Sequence, residues 1–256
     1  MIFQLIQDLR PLMLAGTVLF AVIYVLLRGP IPQPPGYHNF VDKWPFLGVR
    51  NFSNTVSNLP FLLVGIAGLI ALRSHAPEGA LPALRWAYFA FFLGSVLLSL
   101  GSAYYHLTPT NRTLAWDRLP MTIVFMAFFT IIIGEHISPT WGFRLLVPLI
   151  LLGVSSVFFW RLTDSGTGGD LRLYGLVQYL SLTLSLFIVI LYPAALIPTF
   201  YVWAALISYA VSKALEHFDR NVLQLTGFVS GHTLKHLFAA LGIFFFLVGL
   251  LLRRPA

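Results

Sequence analysis

The chain contains no cysteine at any of its 256 positions. That excludes disulfides, thiolate nucleophiles, iron–sulfur clusters and Cys-ligated zinc together, so any metal site must be built from His, Asp, Glu or backbone oxygen. Charge is also scarce. Only 10% of residues are Asp, Glu, Lys or Arg, whereas a soluble domain carries about 25%. Hydrophobic residues make up 58% of the chain, with a mean hydropathy of +0.83. Twenty-three Phe, ten Tyr and six Trp are more apolar surface than a 28.6 kDa globule can enclose, so lipid must cover much of it. These shortages exclude a soluble fold. The net charge of +7 sits mostly at the ends of apolar runs, where cations meet headgroups, and it gives no reason to expect a nucleic-acid partner.

What the chain does have is long apolar runs. A spanning helix needs roughly 20 such residues, and eight stretches qualify, at about 10–28, 52–73, 84–106, 118–135, 143–160, 174–192, 195–215 and 231–252. Backbone polar groups in lipid must be satisfied within helices or a closed barrel, and uninterrupted runs of this length exclude the barrel. The predicted fold is therefore all-α, a polytopic membrane protein with a seven-helix transmembrane bundle and one additional N-terminal transmembrane helix. Residues 1–28 form an anchor helix rather than a removed signal peptide, because no small-x-small cleavage site follows the run from Pro11 to Leu27. Residues 29–50, with five Pro, read as an irregular arm, and 51–253 as the core. The TDSGTGGD stretch, Thr163 to Asp170, reads as a flexible loop. The compact connections fit a multi-pass protein of a bacterial-type inner membrane.

Polar groups are costly inside a bilayer, so the few within or beside the spans are the functional candidates. They gather at one end of the bundle. The third span finishes with Gly101-Ser102-Ala103-Tyr104-Tyr105-His106, the fourth opens with Asp117-Arg118-Leu119-Pro120, and the last opens with Ser230-Gly231-His232-Thr233-Leu234-Lys235-His236. Because consecutive spans alternate in direction, these three ends share a membrane face. His232 and His236, four apart on a helix, can put two imidazoles on one ion, and His106 can supply a third. Three His leave a fourth tetrahedral position open, the arrangement of a catalytic zinc. Asp117 can orient or deprotonate water there, or cap its helix. Ser102 can donate to a developing oxyanion, or bond back to its own helix. His38, His75, His136 and His217 read as interfacial or hydrogen-bonded residues. Asn54, Ser57 and Asn58 read as caps of the second span with possible support of the metal cluster, and Lys213 with Glu216 as a local ion pair.

At these residues the sequence resembles the alkaline ceramidase family, within a superfamily of seven-helix membrane hydrolases that also holds receptor-like members. Three blocks carry the resemblance: Asn51-Phe52-Ser53-Asn54-Thr55-Val56-Ser57-Asn58, Gly101-Ser102-x-x-Tyr105-His106 followed by Asp117-x-Leu119-Pro120-Met121, and His232-x-x-x-His236. The resemblance implies Zn2+ held by His106, His232 and His236, with Ser102 and Asp117 as catalytic partners of a zinc-bound water. It also implies hydrolysis of the amide of a ceramide or other N-acyl lipid, reaching the site from the bilayer, to a fatty acid and a long-chain base. The alternative within the superfamily is a non-enzymatic lipid receptor or binding protein. A haem protein using paired His fits less well, because the candidate His cluster at one membrane edge.

Two departures from the family pattern carry expectations. Asn51 stands where a calcium-binding Glu is found in the family, and the arm offers only Asp42, so calcium is not predicted. Arg118 and Lys235 are cations expected near the mouth of the site. They imply either a negatively charged headgroup or two side chains that snorkel to phosphates.

Overall fold

The structure, a computed structural model, describes residues 2–74, 81–193 and 197–253. His75 and Arg254 lie outside the described residues. The helices are α1 (Ile2–Leu27), α2 (Phe52–Val56), α3 (Leu59–Ser74), α4 (Leu81–Leu107), α5 (Asn111–His136), α6 (Pro139–Leu162), α7 (Arg172–Leu191), α8 (Thr199–His217), α9 (Asp219–Thr226) and α10 (Gly231–Leu251). Among the described residues the one β feature is an isolated bridge between Phe46 and Val49. The protein is thus an all-α polytopic bundle. Among the described residues seven segments are long and apolar enough to cross a membrane, with α2 and α3 together forming one of them. The remaining long helix, α8, carries Ser208, Ser212, Lys213, Glu216 and His217 in its C-terminal half, which lowers its hydropathy, yet it packs along α10.

Helix α5 is the centre of the bundle, packed by α4, α6 and α7, and is the most enclosed span. Helix α10 fills the other half, against α8 and α3. Helix α1 stands outermost and packs on α7, with Leu12, Leu19, Leu26 and Leu27 facing outward. Large outward-facing apolar residues recur on α3, α6 and α8, as expected where lipid replaces protein neighbours. Between helices in lipid the gain comes from close packing rather than the hydrophobic effect, so small residues matter. A Cβ at Gly101 would lie 2.0 Å from the Trp116 carbonyl oxygen, and one at Gly231 would lie 2.1 Å from that of Leu215. Glycine at these two points lets α4 meet α5, and α10 meet α8, beside the polar end of the bundle.

Three boundaries differ from the sequence expectation, each for a local reason. The second span breaks at Ser57–Asn58, where Ser57 Oγ and Asn58 Nδ2 both donate to the Asn54 carbonyl. Pro60, just beyond, supplies no backbone N–H. Helix α5 begins at Asn111, seven residues before its apolar run, because Thr110 caps it and exchanges reciprocal bonds with Thr113. Asp117 is consequently inside the helix and is not its cap. The loop expected to be flexible is tied down: Asp164 accepts from the backbone N–H groups of Gly166 and Gly168 and from Asn111 Nδ2, and Trp160 Nε1 donates to the Gly168 carbonyl.

Candidate metal centre

His106 arrives from the end of α4, and His232 and His236 from the first turns of α10. All three are buried, and one nitrogen from each lies within 4.8 Å of the others. The rings stand 5.0 Å apart in each pair, centre to centre. His106 Nε2 and His232 Nε2 are 3.4 Å apart. Two nitrogens bound to one tetrahedral ion at about 2.0–2.1 Å are separated by about 3.4 Å, so this donor set can hold a metal ion.

The supports around the cluster explain its geometry. Ser57 Oγ lies 2.8 Å from His236 Nδ1, which leaves the Nε2 of that ring for the cluster. Asn51 Nδ2 donates to the His106 carbonyl, and Asp219 Oδ1 accepts from the His232 backbone N–H at 2.7 Å. Ser230 caps α10 through the Thr233 N–H, and Thr233 Oγ1 in turn donates to Asn54 Oδ1. Asn54 Nδ2 donates to the Asp42 carbonyl, which fixes the arm. Phe40 of that arm lays its ring 4.7 Å from His106 and 5.0 Å from His232, closing the cluster off. Sequence reasoning gave Ser57 a capping role with support of the cluster as a second possibility, which its contact with His236 favours, and missed Phe40, Asp219 and Asn51 as supports. None of these carried a spacing signal.

Beside the cluster lies a cavity of about 710 Å3. His236, Lys235, Ser102 and Asp117 line its polar end, and Ser102 is buried beside the Asp117 carboxylate. Phe61, Leu98, Phe125, Leu180 and Ile243 line its apolar part, and Phe20 and Tyr24 of α1 form one edge. From Arg172 to Thr183 along the α7 wall is eleven residues, or roughly 16 Å at 1.5 Å per residue. The shape suits a long chain with a polar group at one end.

The two cations line the cavity and are held by protein partners rather than snorkelling to phosphates. Lys235 pairs with Glu216, which also pairs with Lys213, so the expected local pair is half of a three-residue network. Arg118 is buried, held over the rings of Trp160, Tyr174 and Tyr37, and it donates to Gln33 Oε1. The remaining described His residues stay apart from the cluster. His38 joins Tyr105 and Asn111, His136 lies 2.9 Å from the Tyr192 carbonyl at the opposite face, and His217 packs on Phe218.

Comparison with known proteins agrees with the geometry. The family model for Ceramidase matches residues 48–254, from just before α2 through α10. Over 111 residues the chain is 26% identical to an alkaline ceramidase of Arabidopsis thaliana, a match that spans 43% of this chain and 39% of that relative. The family match covers all three His, Ser102, Asp117 and most of the cavity wall. The chain belongs to the ceramidase family.

Proposed function

We propose that this protein is a zinc-dependent intramembrane hydrolase that cleaves the linear amide of a ceramide-like N-acyl lipid into a fatty acid and a long-chain base. The observation that carries the reading is the meeting of three imidazoles with an Asp–Ser pair at the polar end of a cavity deep enough for an acyl chain. His106, His232 and His236 would hold the ion, with Ser57 and the backbone contacts of Asn51 and Asp219 setting the ring orientations. Zinc bound by three neutral His supplies Lewis acidity and lowers the pKa of water toward neutrality. Asp117 would accept the proton from the attacking water and return it to the departing amine nitrogen as the C–N bond breaks. Ser102 would donate to the oxygen that gains charge as the carbonyl carbon becomes tetrahedral. Phe40 keeps the cluster covered from the aqueous side, and the wall from Phe61 to Ile243 takes the acyl chain.

In this division 51–253 is the hydrolase core, 29–50 the covering arm and 1–28 the anchor, in a bacterial-type inner membrane. Elemental analysis tests the metal. Purified protein is expected to hold close to one zinc per chain, and His106→Ala, His232→Ala and His236→Ala each to lose it together with amide cleavage. Full cleavage by a metal-free preparation would reject the zinc assignment, and lipid binding without any fatty-acid release would make the protein a binding protein.

A further inference from the structure

The cavity wall beside Asp117 holds a second polar feature that the hydrolytic machinery leaves unused. Arg118 and Gln33 line the cavity together, 5% and 4% exposed. Arg118 Nη2 donates to Gln33 Oε1 at 2.5 Å. That bond engages the Gln33 carbonyl oxygen and leaves the amide nitrogen without a partner. Gln33 Nε2 and Arg118 Nη1 are both buried without a hydrogen-bond partner in the protein. Each of these nitrogens carries two N–H groups.

The charge also lacks a direct ion-pair partner among the described residues. Lys213 and Lys235, the neighbouring cavity cations, share Glu216. Among the described residues no carboxylate lies within ion-pair distance of Arg118, and Asp117, its chain neighbour, acts on it only at longer range; its surroundings are the faces of Trp160 at 4.2 Å, Tyr174 at 4.8 Å and Tyr37 at 5.6 Å. Aromatic faces favour a cation, but they fix the guanidinium plane without replacing in-plane acceptors. Gln33 is held as firmly. Its backbone N–H donates to the Gly168 carbonyl, and Leu171 N–H donates to Ile31 two residues before it. Both donors are thus pre-positioned, on an arm and a helix that also shape the metal end of the cavity.

We propose that Gln33 and Arg118 form a subsite for an anionic oxygen group, a carboxylate or phosphate, on the headgroup of the N-acyl lipid. Unpartnered donors beside a guanidinium that makes no direct ion pair select a ligand that brings acceptors and negative charge. A neutral hydroxyl answers only part of it. The inference takes its lipid class from the hydrolase reading, whereas its test reads binding alone.

The experiment uses the full chain in detergent and displacement of a fluorescent lipid by non-hydrolysable sulfonamide analogues of equal chain length, bearing a hydroxyl, a carboxylate or a phosphate. Wild type is expected to bind one of the anionic analogues about tenfold or more tighter than the hydroxyl analogue, the scale of one charge-assisted hydrogen bond. Whichever anion wins identifies the headgroup. Arg118→Gln should bring the ratio close to one, and Gln33→Leu, which leaves the guanidinium in place, should lower it several-fold. Equal affinity of wild type for all three analogues would overturn the proposal, as would an unchanged ratio in Gln33→Leu. Should Arg118→Gln not fold, wild type and Gln33→Leu decide the matter. Failure to hydrolyse any amide would remove the hydrolase reading and leave this binding result standing.

Discussion

Ser57 Oγ stands 2.8 Å from His236 Nδ1 across the contact between the second span and α10. A partner on one imidazole nitrogen sets which other nitrogen is free for a metal and how the ring is turned. Loss of such a partner typically weakens metal binding about 10- to 100-fold. Ser57→Ala is expected to lower zinc affinity on that scale in a chelator competition, with Ser57→Thr recovering most of it. Unaltered affinity in Ser57→Ala would remove Ser57 from the site's support.

The glycine contacts make a packing prediction with a built-in control. Gly231→Ala places a Cβ 2.1 Å from the Leu215 carbonyl oxygen and 2.8 Å from Asp219 Cα, so α10 must move away from α8 just where His232 is anchored. Overpacking of this kind costs about 1–3 kcal/mol. Thermal unfolding should show that loss together with reduced zinc retention. Gly16→Ala on α1 meets nothing within 4 Å and should be neutral or stabilising by roughly 0.5–1 kcal/mol, as for an open helix position.

At the opposite membrane face Arg253 closes the bundle. Its guanidinium pairs with Glu135, which also accepts from Tyr88 Oη, and the two charged side chains are 5% and 0% exposed. Removing one partner of a buried pair costs about 3–5 kcal/mol, because the other charge is left uncompensated, whereas replacing both by apolar groups can be neutral. Arg253→Met alone is expected to show that penalty in denaturant titration, and Glu135→Leu with Arg253→Met to recover most of it. A double variant as unstable as the single one would contradict the pairing.

The connection between α6 and α7 gives an acid-sensitive latch. Burial alone would raise the Asp164 pKa, but hydrogen bonds from Asn111 and the Gly168 and Gly166 N–H groups, with the Arg161 guanidinium, hold it below the usual carboxylate range. Asp170 is likewise lowered against its burial by Arg172 and the Ile31 N–H. A carboxylate depressed in the folded state adds stability that is complete above its unfolded pKa of about 3.9 and is lost as the pH falls through the folded value. The unfolding temperature should therefore hold from neutrality to about pH 5 and fall below it. Asp164→Asn with Asp170→Asn should start lower and flatten that acid fall, and an unchanged slope would exclude the latch.

The spans and the metal cluster were legible for a shared reason: in a chain this apolar, continuous runs mark helices and every exception stands out. His232 and His236 announce themselves by spacing, and His106 by its place at a span end. What could not be read depends on contacts distant in sequence. Asn51 and His106 are 55 residues apart, and Gln33 and Arg118 are 85 apart. No periodicity links them. Phe40 lies in a Pro-rich arm that gives no register, so its stacking on His106 and His232 was invisible. The early start of α5 escaped because its apolar run begins only at 118, and the capping of the helix at Asn111 by Thr110 and Thr113 is a matter of geometry. The partners of Arg118 and Lys235 escaped because composition alone does not reveal an aromatic cage or the shared Glu216.

The central claim is metal-assisted cleavage of a lipid amide at His106, His232 and His236. Mass spectrometry of a panel of N-acyl lipids incubated with purified wild type and with His236→Ala tests it most directly. The account expects stoichiometric fatty acid and amine from at least one ceramide-like lipid with wild type and none with His236→Ala. Equal release by the two proteins would contradict it.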